Sequence, residues 1–383
     1  MSDTPPLRGI TVVDLTRVLA GPFCTMLLAD MGASVIKVEE PSLGDETRGW
    51  APFVDGWSSY FLGVNRGKKS IALDVKDAQH ADALRRLIAR ADVLVENFRP
   101  GSLARLGFGY TDLEPLNPRL VYCSISGYGQ TGPRASLSGY DVVVQGESGL
   151  MDITGQSDGP PTRSPVAITD YLAALFAVQG ILLALVERQR SGRGQQVDVA
   201  LFDSLMAIMA LPVGILFATG QAPARMGNDH PSIAPYDTLS ARGGRIIIAA
   251  GNPRLWSQCC AALGIDHLVD DARFRTNTDR LANRAALQAE LEKVLATMSV
   301  DEAVAALNAH GVPCGRVRSV EQAVADPQLS AREMLIEVQR GGLAAFRTIG
   351  NPIKLSRTPA DITLPPPALG EHTAQIIEGL EKK

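Results

Sequence analysis

Asp170 stands in the segment ITDYLAALFAVQG, at the mouth of the longest apolar run in the chain. A carboxylate at the start of an apolar helix has two uses. It can cap the helix by accepting first-turn N–H groups that have no partner of their own. It can also be left free at the positive end of the helix as a nucleophile. The two uses differ in whether the carboxylate opens into a cleft.

Two further segments carry chemistry of a looser kind. Residues 126–133 read SGYGQTGP. A glycine-rich loop of this sort brings backbone N–H groups close to a ligand, or simply makes a tight surface turn. Residues 65–70 read NRGKKS. Basic side chains at a loop–strand junction can hold a phosphate, or lie solvated in a surface turn. The spacing does not match a Walker A loop. Glu39 and Glu40 end a strand-like run where a ribose-binding acid often sits, but the preceding turn, DLTRVLAGPFC, has only Gly21 and no G-x-G-x-x-G. Nicotinamide or flavin binding is therefore disfavoured.

The histidines His80, His230, His267, His310 and His372 form no familiar zinc spacing, so no metal site is expected. Cys24, Cys123, Cys259, Cys260 and Cys314 are an odd, scattered set. They fit reduced thiols in a cytoplasmic protein.

Those residues must be held by a scaffold, and its pattern is legible. Short β-rich runs at 10–15, 33–39, 70–75, 92–98 and 120–126 alternate with helical stretches. This predicts an α/β fold with a largely parallel sheet covered on both faces. Residues 171–186 are apolar nearly all round, short of a membrane span, and read as a core helix buried on both faces. Arg188 and Arg190 suit its C-terminal end, and Gly192 suits a left-handed cap. A strand at 195–200 then leads into a helix over 201–218.

The character changes at 220–235, a Gly- and Pro-bearing connector, and a second unit follows. The 383 residues exceed one ordinary core. The expected division is a large domain over 1–219, a linker over 220–235, a small domain over 236–315, and a return to the large domain over 316–383. The 37 basic and 41 acidic residues give a net charge of −4. That argues against a globally cationic surface for nucleic acid or an anionic membrane. The N-terminus has no apolar signal core.

Taken in order, several long segments make the pattern specific. They are LRGITVVDLTRVLAGPFCTMLLADMGASVIKVE, GDETR, NRGKKSIALD, DVLVENFRPG, LNPRLVYCSISGYGQTGP, ITDYLAALFAVQGILLALVERQRSGRGQQVDVALFDS and LGEHT. Together they resemble the class III CoA-transferases, the family of formyl-CoA transferase, carnitine CoA-transferase and the α-methylacyl-CoA racemases. The resemblance spans nearly the whole chain. It implies a Rossmann-like large domain, a smaller α+β domain and an interlocked homodimer. It also implies coenzyme A and acyl-CoA as substrates, with no permanently bound cofactor.

By the same resemblance, Asp170 is the nucleophile that attacks the donor thioester. Leu73, Asp74, Val75 and Lys76 match a segment beside the CoA nucleotide. Asn97, Phe98 and Arg99 match another contact segment, with Arg105 nearby. Ser138, Gly139 and Tyr140 match a loop near the pantetheine. Leu19 and Glu40 replace a glutamine and an arginine of formyl-CoA transferase, and Ser138 replaces a lysine.

The racemase branch carries Gly-His-Asp where this chain has Gly139-Tyr140-Asp141. Tyrosine, with a pKa near ~10, is a poor proton shuttle at neutral pH, which favours transferase over racemase. The segment GNDHPSIAPYDT at 227–238 resembles the branch of succinate–hydroxymethylglutarate CoA-transferase, which implies succinyl-CoA as donor and a dicarboxylic acceptor. A formyl-CoA/oxalate-type transferase is the alternative. A second carboxylate needs cationic or multiple donors. Arg48, His230 and Tyr236 are the candidates, weighed against an ion pair for Arg48 and linker packing for His230.

Overall fold

The structure is a computed structural model and describes residues 4–340, 345–362 and 364–382. The parts of the expected end segments at 1–3, 341–344, 363 and 383 lie outside the described residues. The chain divides into two units. One holds Met1–Leu150, Arg163–Leu211 and Pro327–Lys383; the other holds Met151–Thr162 and Pro212–Asp326.

The first unit is built on six strands: β1 (Thr11–Asp14), β2 (Ser34–Glu39), β3 (Lys68–Ala72), β4 (Val93–Glu96), β5 (Val121–Ser126) and β6 (Gln196–Ala200). All pair in parallel, in the order β3-β2-β1-β4-β5-β6. The expected parallel sheet is present. The direction of winding reverses between β1 and β4. Strand-end loops diverge at such a switch point and leave a crevice beyond the C-terminal ends of the strands.

The helices that flank the sheet and matter here are α1 (Ala20–Asp30), α2 (Ala78–Ala89), α3 (Asp141–Glu147), α4 (Ile168–Ser191) and α5 (Leu201–Ile208). Period-two alternation sorts the strand residues between the two faces. Val12, Val35, Val93 and Val121 pack with Leu28 of α1 and Ala173, Ala177 and Ala184 of α4. Val13, Ile36, Ile71 and Leu94 pack on the other face with Leu84 and Ile88 of α2.

Helix α4 departs from expectation. Its alanines lie flat against the sheet, but Leu175, Leu183 and Val186 are 51%, 62% and 59% exposed. Apolar composition reports what a surface prefers, not whether this chain covers it. Over its 24 residues the helix also meets the length and hydropathy of a membrane span, which the shorter run at 171–186 did not suggest. Its inner face is core all the same. Gly192 ends it at φ 75°, the left-handed cap that the sequence indicates.

The second unit pairs β7 (Tyr236–Ala241), β8 (Gly244–Ala249) and β9 (Cys314–Arg316) in an antiparallel sheet. Helices α6 (Pro253–Leu263), α7 (Arg284–Leu295) and α8 (Val300–Ala309) accompany it. Ile246, Ile248, Trp256, Leu291 and Leu307 form its core. The first unit resumes through the hairpin of β10 (Leu335–Val338) and β11 (Phe346–Ile349) and closes with α9 (Thr373–Glu381). Ser70 and Ala72 of β3 donate their N–H groups to His372 Nδ1 and Thr373 Oγ1 at 3.2 and 3.0 Å. This anchors the C-terminal segment on the edge strand.

Candidate active site

The crevice predicted by the strand order is a cleft of about 210 Å³ lined entirely by the first unit. Its walls are the loops that follow β1, β4 and β5, joined by the turn before α3 and the start of α4. Asp170 lines it, together with Asn97, Phe98, Arg99, Ser138, Gly139 and Tyr140. Seven of the residues singled out by sequence therefore meet in one place, although they come from three separate segments.

Asp170 is not a cap. Helix α4 begins at Ile168 after Ala167, which contributes no side-chain cap. The capping acceptor comes from outside the helix. Asp141 Oδ1 accepts the Thr169 N–H at 3.0 Å and the Thr169 hydroxyl at 2.8 Å. Gln145 holds Asp141 by donating Nε2–H to Oδ2 at 2.8 Å, and its Oε1 accepts the Ser164 N–H at 2.8 Å. Among the described residues, Asp170 has no hydrogen-bond or ion-pair partner. Burial, then repulsion by Asp141, pushes its carboxyl up to about 7. An unpartnered acid with a raised pKa in a cleft is a candidate for chemistry.

Backbone contact shapes the wall beside it. A Cβ on Gly127 would lie 2.6 Å from both Cα and N of Gly139. The loop after β5 and the turn before α3 thus touch main chain to main chain, which only glycine allows. Of the segment SGYGQTGP, Ser126 and Gly127 line the cleft.

The loop after β1 is pinned from below by charges the sequence did not reveal. Asp14 accepts from Thr16 N at 2.9 Å and from Lys68 Nζ at 3.0 Å. Lys37 Nζ donates to the Thr16 carbonyl at 2.8 Å and pairs with Asp45 at 2.9 Å. All four of these charged groups are buried. The two lysines hold the Asp14 carboxyl well below the usual carboxylate range despite its burial. Asp45 also accepts the N–H of Val18 at 3.3 Å. Val18 sits at φ +69°, a costly conformation for a β-branched residue. The strained residue is part of the cleft wall.

Other expectations are placed elsewhere. Neither reading of NRGKKS holds for its charged ends: Arg66 is buried against Asp30 with contacts of 2.9 and 2.8 Å, and Lys68 is buried on Asp14. Arg48 grips Glu39 through two hydrogen bonds of 2.8 and 2.7 Å and lies over the Phe61 ring. Its guanidinium is committed to a structural pair. Leu73, Asp74, Val75 and Lys76 follow β3 and do not line this cleft, nor does Arg105, which donates to Ser102 at 3.2 Å. His230 and Tyr236 belong to the second unit, where their rings lie 5.2 Å apart.

Arg17, Glu46 and Glu96 are functional candidates that no motif in the sequence marks. Arg17 and Glu46 line the cleft. Glu96 is buried at the end of β4 and accepts the Phe98 N–H at 2.9 Å, and burial pushes its carboxyl up to about 7. Arg17 sits within LTRVLAG, but nothing in that segment's composition says which way its side chain turns. Asn97 lines the cleft and its amide spans the Arg17 backbone, accepting N–H at 2.9 Å and donating to C=O at 2.8 Å.

Residues 7–373 match CoA-transferase family III. The chain belongs to that family. It is 41% identical over 388 residues to a succinate–glutarate CoA-transferase of Agrobacterium fabrum, covering 98% of this chain and 96% of that one. It is 44% identical over 352 residues to an acetyl-CoA:oxalate CoA-transferase of Acetobacter aceti, covering 92% and 89%. A CaiB/BaiF family protein from Brucella suis has a similar structure, with a TM-score of 0.88 and 43% identity over 98% of this chain and 100% of that one. This protein is an enzyme of the CoA-transferase class, and CoA thioesters are its substrates.

Proposed function

We propose that this CoA-transferase moves CoA from succinyl-CoA to a dicarboxylic acid through covalent intermediates on Asp170. One observation carries the reading: the Asp170 carboxylate lines the switch-point cleft without a partner among the described residues, while Asp141 supplies the cap that Ala167 cannot. The names of the relatives supply the substrate class, since glutarate and oxalate are both dicarboxylates.

The reaction balances without ATP or metal. Asp170 attacks the thioester carbonyl and expels CoA thiolate, leaving an acyl–aspartyl anhydride. The thiolate attacks the aspartyl carbonyl and releases the donor acid, leaving an aspartyl-CoA thioester. The acceptor carboxylate attacks that thioester and expels the thiolate again. The thiolate then attacks the acceptor's carbonyl, so the new acyl-CoA leaves and Asp170 is restored. Each step exchanges one activated acyl bond for another. A desolvated carboxylate with a raised pKa is the stronger nucleophile once ionised. Backbone N–H groups of the cleft loops supply donors for the tetrahedral oxyanions.

Tyr140, 68% exposed at the cleft, argues against a racemase, which needs a proton shuttle there. The enzyme works as a homodimer with interlocked subunits. The exposed row Leu175, Leu183 and Val186 on α4 supports self-association, because a second copy would cover it.

The test is transfer itself. Succinyl-CoA is incubated with glutarate, oxalate and butyrate in turn, and acyl-CoA products are resolved by mass. Formation of a dicarboxylyl-CoA is expected. Transfer confined to the monocarboxylate would overturn the substrate class.

A further inference from the structure

The cleft is lined by four charged side chains: Arg17, Arg99, Glu46 and Asp170. Among the described residues neither arginine forms an ion pair. Of the two, Arg17 is the one whose backbone the fold fixes on both sides. Both polar groups of its backbone are taken by the Asn97 amide. Thr16, before it, is fixed by Asp14 and Lys37. Val18, after it, is held at φ +69° with its N–H on Asp45. The guanidinium lies over the Phe98 ring, 5.0 Å from the centroid. Among the described residues no protein group bonds to its N–H edge, so the fork beside the Phe98 ring is available to a planar anion.

We infer that Arg17 is the specificity-determining residue that binds the distal carboxylate of the dicarboxylic substrate. The inference rests on the proposed CoA transfer and names the group that reads its acceptor. A guanidinium offers a carboxylate two parallel hydrogen bonds, and a ground-state anchor of this kind is read mainly in KM. The same fork would suit a phosphate of CoA. The two sources predict different losses.

The experiment uses Arg17→Gln and Arg17→Lys in the full-length enzyme. Calorimetry gives the affinities for CoA and, separately, for glutarate. Steady-state kinetics give KM and kcat with glutarate, and thermal melting checks folding. Loss of a charge-assisted pair is worth roughly 10- to 100-fold. Arg17→Gln is expected to weaken glutarate and raise its KM by that factor, with kcat changed much less and CoA affinity within about twofold. Arg17→Lys should recover part of the loss, since it restores the charge without the fork. A fall in CoA affinity with glutarate unaffected would assign Arg17 to a phosphate and overturn the inference. So would glutarate binding equal to wild type. If wild-type enzyme bound glutarate through Arg17 but transferred no CoA to it, the functional reading would fail while this inference stood.

Discussion

Asp141 accepts both the N–H and the hydroxyl of Thr169, at 3.0 and 2.8 Å, and so caps helix α4 from the neighbouring helix α3. The consequence falls one residue further on. Asp170 is the third residue of α4, past the N-cap position that Ala167 occupies without a side-chain acceptor. Its carboxylate lines the cleft with no partner among the described residues, and burial together with the same Asp141 charge raises its pKa.

Replacing Asp141 by asparagine separates the two effects. The amide oxygen can still accept the Thr169 N–H, but the negative charge is gone. The wild-type kcat/KM should rise with pH through about 7, as Asp170 loses its proton. In Asp141→Asn that midpoint should move to lower pH, which a pH–rate series from pH 5 to 9 would show. An unmoved midpoint would mean that Asp141 does not tune Asp170.

Asp170 should also cost stability. Its folded-state pKa of about 7 lies above the unfolded value of 3.8, so the folded state binds the extra proton between these limits. Stability from this group is therefore greatest at low pH, falls as pH rises from about 4 to 7, and is then flat. Asp170→Asn should melt higher than wild type at pH 8, by roughly 2–4 °C per kcal/mol recovered. The advantage should shrink towards pH 4. Equal melting at both pH values would contradict the burial of an unpaired charge.

The main-chain contact between Gly127 and Gly139 predicts an intolerance. Gly127→Ala puts a methyl group 2.6 Å from backbone atoms that cannot rotate away. Displacing the turn that carries Ser138 and Tyr140 should lower kcat and cost about 1–3 kcal/mol of stability. Urea denaturation alongside kinetics would show both.

Arg48 should behave as structure. Arg48→Ala leaves Glu39 buried without its partner, at a cost of about 3–5 kcal/mol. The ratio of kcat/KM for glutarate over butyrate should stay at the wild-type value in any surviving enzyme. A collapse of that ratio would return Arg48 to the substrate site.

The sequence showed the scaffold more readily than the site. Alternating apolar runs such as ITVVDL and ASVIKVE announce a parallel sheet because each face needs its own core. Asp170 was visible, with both its readings, because it stands at the edge of a long apolar helix. What separates those readings is the start of α4 at Ile168 and its cap from Asp141, 28 residues before Thr169. No local pattern carries that distance. The buried charges hide for the same reason: Lys68 and Arg66 look like a surface turn until Asp14 and Asp30 are brought beneath them. The exposed outer face of α4 is hidden from the sequence, because hydropathy cannot say which apolar side chains this chain itself covers.

The most direct test is mass spectrometry of the Asp170 peptide after incubation with succinyl-CoA and a hydroxylamine quench. The account predicts a hydroxamate on Asp170, formed from the anhydride or the aspartyl-CoA thioester, and none in Asp170→Asn. An unmodified Asp170 in enzyme that is actively transferring CoA to glutarate would contradict it.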